Sequence, residues 1–193
     1  AGTGATLEGS SVTITSTSNQ LIASLAEVTA TEGVVLSAAA ATGNITVGGV
    51  TTAAGGVATL VTGSGTDSIT INNSNVTTAI TSGKGGDTIT LTDIAATGSS
   101  VNTGEGDDAI TVGAITTTLV VNAGDGDDSL TLLGDTTGGT VDMGDGTTDT
   151  IVLDTGDYSL SSGPLAMTNV ERVDITAGDA TFDWSQLSGN DVT

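Results

Sequence analysis

The stretch GDGDDSLTL at residues 124–132 decides the fold, because it joins a glycine-rich acidic turn directly to an alternating apolar strand. The same pattern occurs four more times, and each copy reaches an Asp just before its strand. Successive first glycines lie 20, 21, 20 and 20 residues apart, which indicates a repeat protein. The five turns are GSGTD at 63–67, GKGGD at 83–87, GEGDD at 104–108, GDGDD at 124–128 and GDGTTD at 144–149.

Each repeat is predicted to contain two strands. After every Asp, apolar and polar residues alternate with a period of two, and a second apolar column lies three residues before each first glycine. Neither strand can bury its apolar face alone, so consecutive repeats must stack at the ~4.8 Å strand spacing. The predicted fold is all-β: a parallel β-solenoid, of the β-roll or β-helix kind, with about 20 residues per coil. Its inner columns are Ile69, Ile89, Ile110, Leu130 and Ile151, and Leu60, Ile80, Val101, Val121 and Val141.

Stacking also sets the glycine-rich turns in single file along one edge. Their carboxylates then recur at the strand spacing and repel one another, in a chain with 23 acidic and two basic residues and a net charge of −21. Ca²⁺ is a hard, oxygen-seeking cation that is abundant outside cells, so we expect it to bridge the row. The alternative is a solvated acidic edge whose glycines serve only the turns. The expected metal ligands are Asp67, Asp87, Asp108, Asp128 and Asp149.

We expect residues 1–193 to form one elongated solenoid domain. We also expect the chain to be a processed product or a fragment of a longer protein. Residues 1–42 are predicted to form irregular N-terminal coils, and residues 43–155 the regular coils. In residues 156–193 the turn motif disappears, which predicts further coils, a cap or a junction. This last part holds all three aromatic residues and the one proline of the chain, Tyr158, Phe182, Trp184 and Pro164.

Composition excludes several functional classes. An enzyme needs an acid, base or nucleophile activated by a neighbour, and this chain has no His, no Cys and one Arg. Adjacent acids such as Asp107 and Asp108 could imitate a glycosidase pair, but their serial repetition fits metal ligands better. We therefore expect no catalytic activity and no small-molecule substrate. Net negative charge argues against nucleic acid, and the lack of an 18-residue apolar run argues against membrane insertion.

The repeat Gly-x-Gly-x-Asp-x-Ile/Leu-x-hydrophobic resembles the calcium-binding nonapeptide of the repeats-in-toxin (RTX) superfamily over residues 60–155. The resemblance implies Ca²⁺ between successive turns, held by the Asp carboxylates and by main-chain carbonyls. The chain departs from the family pattern in two ways: only one turn per coil carries the motif, and the fifth motif has an extra residue. The implied positions beside the aspartates are Gly63, Gly65, Gly83, Gly85, Gly104, Gly106, Gly124, Gly126, Gly144 and Gly146.

The segment MTNVERVDIT at residues 167–176 resembles segments of bacterial RTX-type surface-layer (S-layer) proteins. This likeness implies a secreted, self-associating building block of a cell-surface layer or filament, exported by type I secretion and folded by Ca²⁺. One alternative is a spacer or stalk of a larger secreted adhesin. Another is an ice-binding solenoid, because two outward polar columns lie side by side: Ser68, Thr88, Ser129 and Thr150, and Thr70, Thr90, Thr111 and Thr131.

Overall fold

The structure is a computed structural model that describes residues 5–16, 24–72, 75–154, 157–158, 165–176 and 181–182. Within these ranges the chain forms strands and turns, and no helix. The strands are β1 (Ala5–Thr15), β2 (Leu25–Ser37), β3 (Thr46–Thr52), β4 (Val57–Val61), β5 (Ser68–Ile71), β6 (Thr77–Lys84), β7 (Thr88–Ile94), β8 (Ser99–Glu105), β9 (Ala109–Ile115), β10 (Leu119–Asp125), β11 (Ser129–Leu132), β12 (Gly139–Asp142), β13 (Thr150–Leu153), β14 (Asp157–Tyr158), β15 (Leu165–Thr168), β16 (Arg172–Ile175) and β17 (Thr181–Phe182).

Two stacks of parallel strands form a β-solenoid of about 7 turns with roughly 21 residues per turn, which confirms the predicted fold class. The β4 face consists of β4, β6, β8, β10, β12 and β15. The β3 face consists of β3, β5, β7, β9, β11, β13 and β16. The long strand β2 belongs to both faces, because its first half pairs with β3 and its second half pairs with β4. β1 lies parallel on β2.

The core consists of aliphatic columns that run along the solenoid axis. Ile89 lies in register with Ile69 and Ile110, and Val101 lies in register with Ile80 and Val121, as predicted. These side chains are almost fully buried. Burial of each one is worth about 1.5–3 kcal/mol, and its register partners belong to the coils before and after it. A coil is therefore stable only within the stack.

The stack continues past the last glycine-rich turn. β15 pairs with β12 and β16 pairs with β13, so each face gains one more strand after the motif has disappeared. A separate two-stranded ladder joins β14 to β17 and contains the backbone of Tyr158 and Phe182. Pro164 and Trp184 lie outside the described residues.

The division of residues 1–193 into irregular, regular and terminal parts stays a prediction. Among the described residues, no helix is long and apolar enough to cross a membrane.

Candidate metal site in the glycine-rich turns

The five glycine-rich turns lead from the β4 face to the β3 face and lie in one file along a single edge. The second glycines of the first four turns donate their N–H groups to carbonyls of the following coil: Gly85 donates to Glu105 O at 2.6 Å, and Gly106 donates to Asp125 O at 2.7 Å. The structure thus brings every predicted site residue into three columns along this edge. One column holds the aspartates, and the other two hold the first and the second glycines.

The first glycines are required by the close approach of neighbouring turns. A Cβ added to Gly104 would lie 2.0 Å from the carbonyl oxygen of Gly83, and one added to Gly124 would lie 2.0 Å from that of Gly104. Gly104 also has a φ of +106°, which side chains rarely adopt. Steric demand alone therefore explains the glycines, and an argument for metal must rest on the aspartates.

The aspartate carboxylates lie inside the turns, and each is at most 2 % exposed. One oxygen of each carboxylate accepts a hydrogen bond from a backbone N–H of the preceding coil. Asp108 Oδ1 accepts the Asp87 N–H at 2.7 Å, and Asp128 Oδ1 accepts the Asp108 N–H at 2.8 Å. Asp67 Oδ1 does the same for the Ile45 N–H, because the coil before it has no Asp at this position.

The second oxygen of every aspartate is buried and lacks a hydrogen-bond partner among the described residues. This holds for Oδ2 of Asp67, Asp87, Asp108, Asp128 and Asp149. Buried polar atoms are normally paired, because an unpaired one loses its hydration without compensation. Five such atoms in one file indicate that something outside the polypeptide satisfies them, either a cation or a proton.

Burial and repulsion by neighbouring carboxylates raise the pKa of Asp87, Asp108, Asp128 and Asp149. Loss of hydration raises the pKa of Asp108 to about 6 and that of Asp149 to about 6. Loss of hydration, with the charges of Asp108 and Asp149, raises the pKa of Asp128 to about 7. The pKa of Asp87 is also raised, mainly by burial. Without a cation, ionising the row is therefore costly near neutral pH.

A column of hydroxyls accompanies part of the row. The Thr103 hydroxyl donates to Ala123 O at 2.8 Å and lies beside Asp108, where it limits the rise in that pKa. The Ser82 hydroxyl has the same effect on Asp87. In the next coil this position is Ala123, which has no hydroxyl to place beside Asp128.

The outer acids of the turns behave differently. Asp127 is exposed, and its Oδ1 accepts the Thr147 N–H at 2.9 Å and the Thr148 N–H at 3.1 Å. These hydrogen bonds lower the pKa of Asp127. Asp107 Oδ1 likewise accepts the Asp127 N–H at 3.0 Å. The outer acids are therefore hydrated and partnered, and they have less need of a cation than the inner row.

Neither basic residue of the chain neutralises the inner row. Lys84 is exposed and pairs with the exposed Glu105. Arg172 pairs with Asp174 at 2.6 Å, two positions further along the same strand. Surface pairs of this kind contribute little to stability. The buried aspartates therefore have no positive side chain opposite them.

The structure adds one residue that sequence analysis did not assign to the row. Glu171 Oε2 accepts the Asp149 N–H at 2.9 Å and so takes the place of the next aspartate. Its turn has no Gly-x-Gly, and Asn169 adopts the positive φ of +55° instead. The available signal was the segment RVDI at 172–175, which follows Glu171 and pairs with β13 as the other coils pair with one another.

The donor set suits Ca²⁺ and excludes metals that require nitrogen or sulfur. In the described part of the chain, no three carboxylates converge on one point. A cation here would take one or two aspartate oxygens and complete its six to eight oxygen ligands with turn carbonyls and water. Gly63 O and Gly124 O already accept an N–H, but a carbonyl has a second lone pair. The orphaned Oδ2 atoms are hard oxygen donors of the kind that Ca²⁺ prefers.

Comparison of the chain with known protein families, curated proteins and solved structures finds no match.

Proposed function

We propose that this chain is a calcium-binding structural solenoid, a building block of a bacterial cell-surface layer or an extracellular filament. The observation that carries the proposal is the file of five buried Asp Oδ2 atoms that have no partner within the described chain. Ca²⁺ would supply the positive charge that neither Lys84 nor Arg172 brings to this row. The proposed role is structural and non-catalytic, because the carboxylates recur once per coil in series, as repeated metal ligands do.

Calcium would couple folding to the environment. The inner carboxylates repel one another only when the turns are stacked, so a cation between turns stabilises the folded state and hardly binds the unfolded chain. Each independent site contributes about 4 kcal/mol when the free cation exceeds its Kd a thousandfold. Several sites in one file would make folding strongly cooperative in calcium. An unfolded chain in a calcium-poor cytosol could then be exported by type I secretion and fold outside.

A spacer or stalk of a larger secreted adhesin is the second candidate. The continuous register of both faces, from β4 to β15 and from β3 to β16, favours it equally, since a rigid rod suits a stalk as well as a lattice. The two roles differ in self-association: a lattice block associates with copies of itself, and a stalk does not.

The decisive experiment is a calcium titration of the EDTA-treated chain, followed by far-UV circular dichroism and by light scattering. We expect β-structure to appear cooperatively with Ca²⁺, and Mg²⁺ to be a poor substitute because it demands a smaller octahedral site. Growing scatter would favour the lattice block, and unchanged scatter the stalk. A fold that is indifferent to calcium would disprove the proposal.

Two adjacent substitutions provide the matched control. Asp108→Asn and Asp107→Asn remove the same charge from the same turn, but only Asp108 is buried with an unpartnered oxygen. Asp108→Asn should therefore shift the titration to higher calcium, while Asp107→Asn should titrate like the wild type. Equal behaviour of the two variants would remove the inner row as the site.

A further inference from the structure

The outward side of the β4 face carries little charge at its centre, whereas the exposed Lys84, Glu105 and Asp125 lie at its edge, where β6, β8 and β10 enter the glycine-rich turns. Its second outward column runs from Ser37 to Thr168, and its one charged member is Asp142, which accepts a hydrogen bond from Asn169 at 2.6 Å. Its central column contains no charged residue at all. That column is Val35, Thr59, Ala79, Ser100, Val120, Thr140 and Ala166.

This surface contrasts with the glycine-rich edge of the solenoid. The net charge is −21, and acids crowd the glycine-rich edge, where Asp107, Asp125, Asp127 and Asp145 are exposed. Two such chains repel each other in most orientations. A contact between copies is therefore favoured where carboxylates are few, as at the centre of the β4 face, where Asp142 is the one charged residue of the two outward columns.

Three of the five exposed large apolar side chains of the described residues lie on the same face, while Ile175 ends β16 and Leu133 follows β11 on the β3 side. Val35, Val57 and Val120 are 41 %, 48 % and 49 % exposed. A groove of about 370 Å³ beside Val120 is lined by Thr140, Ala166 and Thr168, with Asp142 among its other lining residues. The outward residues of the β3 face are mostly hydroxyl-bearing, such as Thr90 and Thr111. Hydroxyl groups are stable in water, so this face gains less free energy than exposed valines would from being buried in a contact.

From the low charge at its centre and the exposed valines together, we infer that the β4 face is the surface through which this chain packs against a second copy of itself, sheet against sheet. This inference rests on the proposed function and names the surface that a lattice block would use. Packed sheets lie ~10 Å apart and keep their strands nearly aligned, which a flat parallel face allows.

The size of the face sets the strength of the contact. Seven strands at ~4.8 Å spacing, each with about four residues of ~3.3 Å, give an area of ~450 Å² per copy. A pair would bury ~900 Å², which is below the ~1,200 Å² of a typical stable interface. One contact is therefore weak and reversible, and an extended assembly would gain strength from many such contacts.

The test is sedimentation velocity over a wide range of protein concentration at saturating calcium. Ser100→Glu places a charge in the centre of the β4 face, between Ala79 and Val120. Thr111→Glu adds the same charge to the β3 face and is the matched control. We expect the wild type and Thr111→Glu to associate as concentration rises, and Ser100→Glu to need at least tenfold more protein.

Circular dichroism must first show that both variants fold as the wild type does. A wild type that stays monomeric, or a loss of association that is equal in both variants or confined to Thr111→Glu, would overturn the inference. These outcomes are separate from the calcium proposal. If the chain folds with calcium but never associates, only the proposed β4 face contact is disproved. If the chain folds and associates without calcium, that contact is supported and the calcium proposal is disproved.

Discussion

The Asp87 N–H donates to Asp108 Oδ1 at 2.7 Å across one coil of the solenoid, and the other oxygen of this carboxylate has no hydrogen-bond partner in the described part of the chain. Each inner aspartate thus has two tasks, one per oxygen. Oδ1 fixes the backbone of the turn before it, and Oδ2 remains for a cation or a proton. The two tasks can be separated by substitution.

Asp108→Ala and Asp108→Asn should differ in the absence of metal. Alanine removes the acceptor and leaves the Asp87 N–H buried and unpaired, which costs about 1–3 kcal/mol. Asparagine retains an acceptor and removes a buried charge, so its metal-free stability should equal or exceed that of the wild type near neutral pH. Both variants should lose part of the stabilisation by calcium. Urea unfolding in EDTA and in calcium measures this, and equal metal-free stability of both variants would contradict it.

Without calcium, stability should fall as pH rises. The raised pKa values, about 6 for Asp108 and Asp149 and about 7 for Asp128, mean that the folded state holds protons that the unfolded chain has already released. The stabilising contribution is complete below about pH 4 and is lost between about pH 4 and 7. Thermal unfolding in EDTA should show a midpoint that falls across this range. A midpoint that rises with pH would contradict the prediction.

Calcium should reverse this trend, because the cation competes with protons for the same oxygens. At saturating calcium the unfolding midpoint should rise between pH 4 and pH 7, as the row ionises and binds metal. The same thermal unfolding series, repeated in calcium, checks the sign. A trend in calcium that parallels the one in EDTA would indicate that the metal does not bind the inner row.

The hydroxyl column offers a way to tune one carboxyl at a time. Ala123→Ser should lower the pKa of Asp128, because a hydroxyl at this position limits the pKa rise at Asp87 and Asp108. Thr103→Ala should raise the pKa of Asp108 by the same reasoning. Carboxyl carbon chemical shifts, followed by NMR through a pH titration of the metal-free protein, measure both values. Unchanged pKa values would show that burial and charge repulsion alone control the row.

The regular part of the solenoid was predictable because its physical requirements are local and periodic. A glycine every 20 or 21 residues and a following alternation such as SLTL at 129–132 specify the coil length, the inner columns and the file of turns. Glu171 was not predictable in this way. It joins the row because β16 pairs with β13, and its turn has lost the Gly-x-Gly that marks the others.

The role of each carboxylate oxygen also could not be predicted from the sequence. A motif reveals that Asp108 recurs, but only the stacked coils show that Oδ1 is already engaged by Asp87 and that Oδ2 is not. The low charge at the centre of the β4 face was missed for a related reason. Its strands have a less regular sequence than those after each Asp, so the absence of charge becomes visible only when Val35, Ser100 and Val120 are placed in one column.

The glycine columns should be essential with or without metal. Gly104→Ala places a Cβ 2.0 Å from Gly83 O, so the coils must separate, and we expect a loss of about 4 kcal/mol or more. Gly55→Ala is the control, because Gly55 has a positive φ of +84° but no atom within 4 Å of the new Cβ. Only backbone strain of about 1–2 kcal/mol is expected there. Urea unfolding in EDTA and in calcium should give the same ranking, and a Gly104→Ala defect that calcium abolishes would mean that the glycine serves metal binding instead of packing.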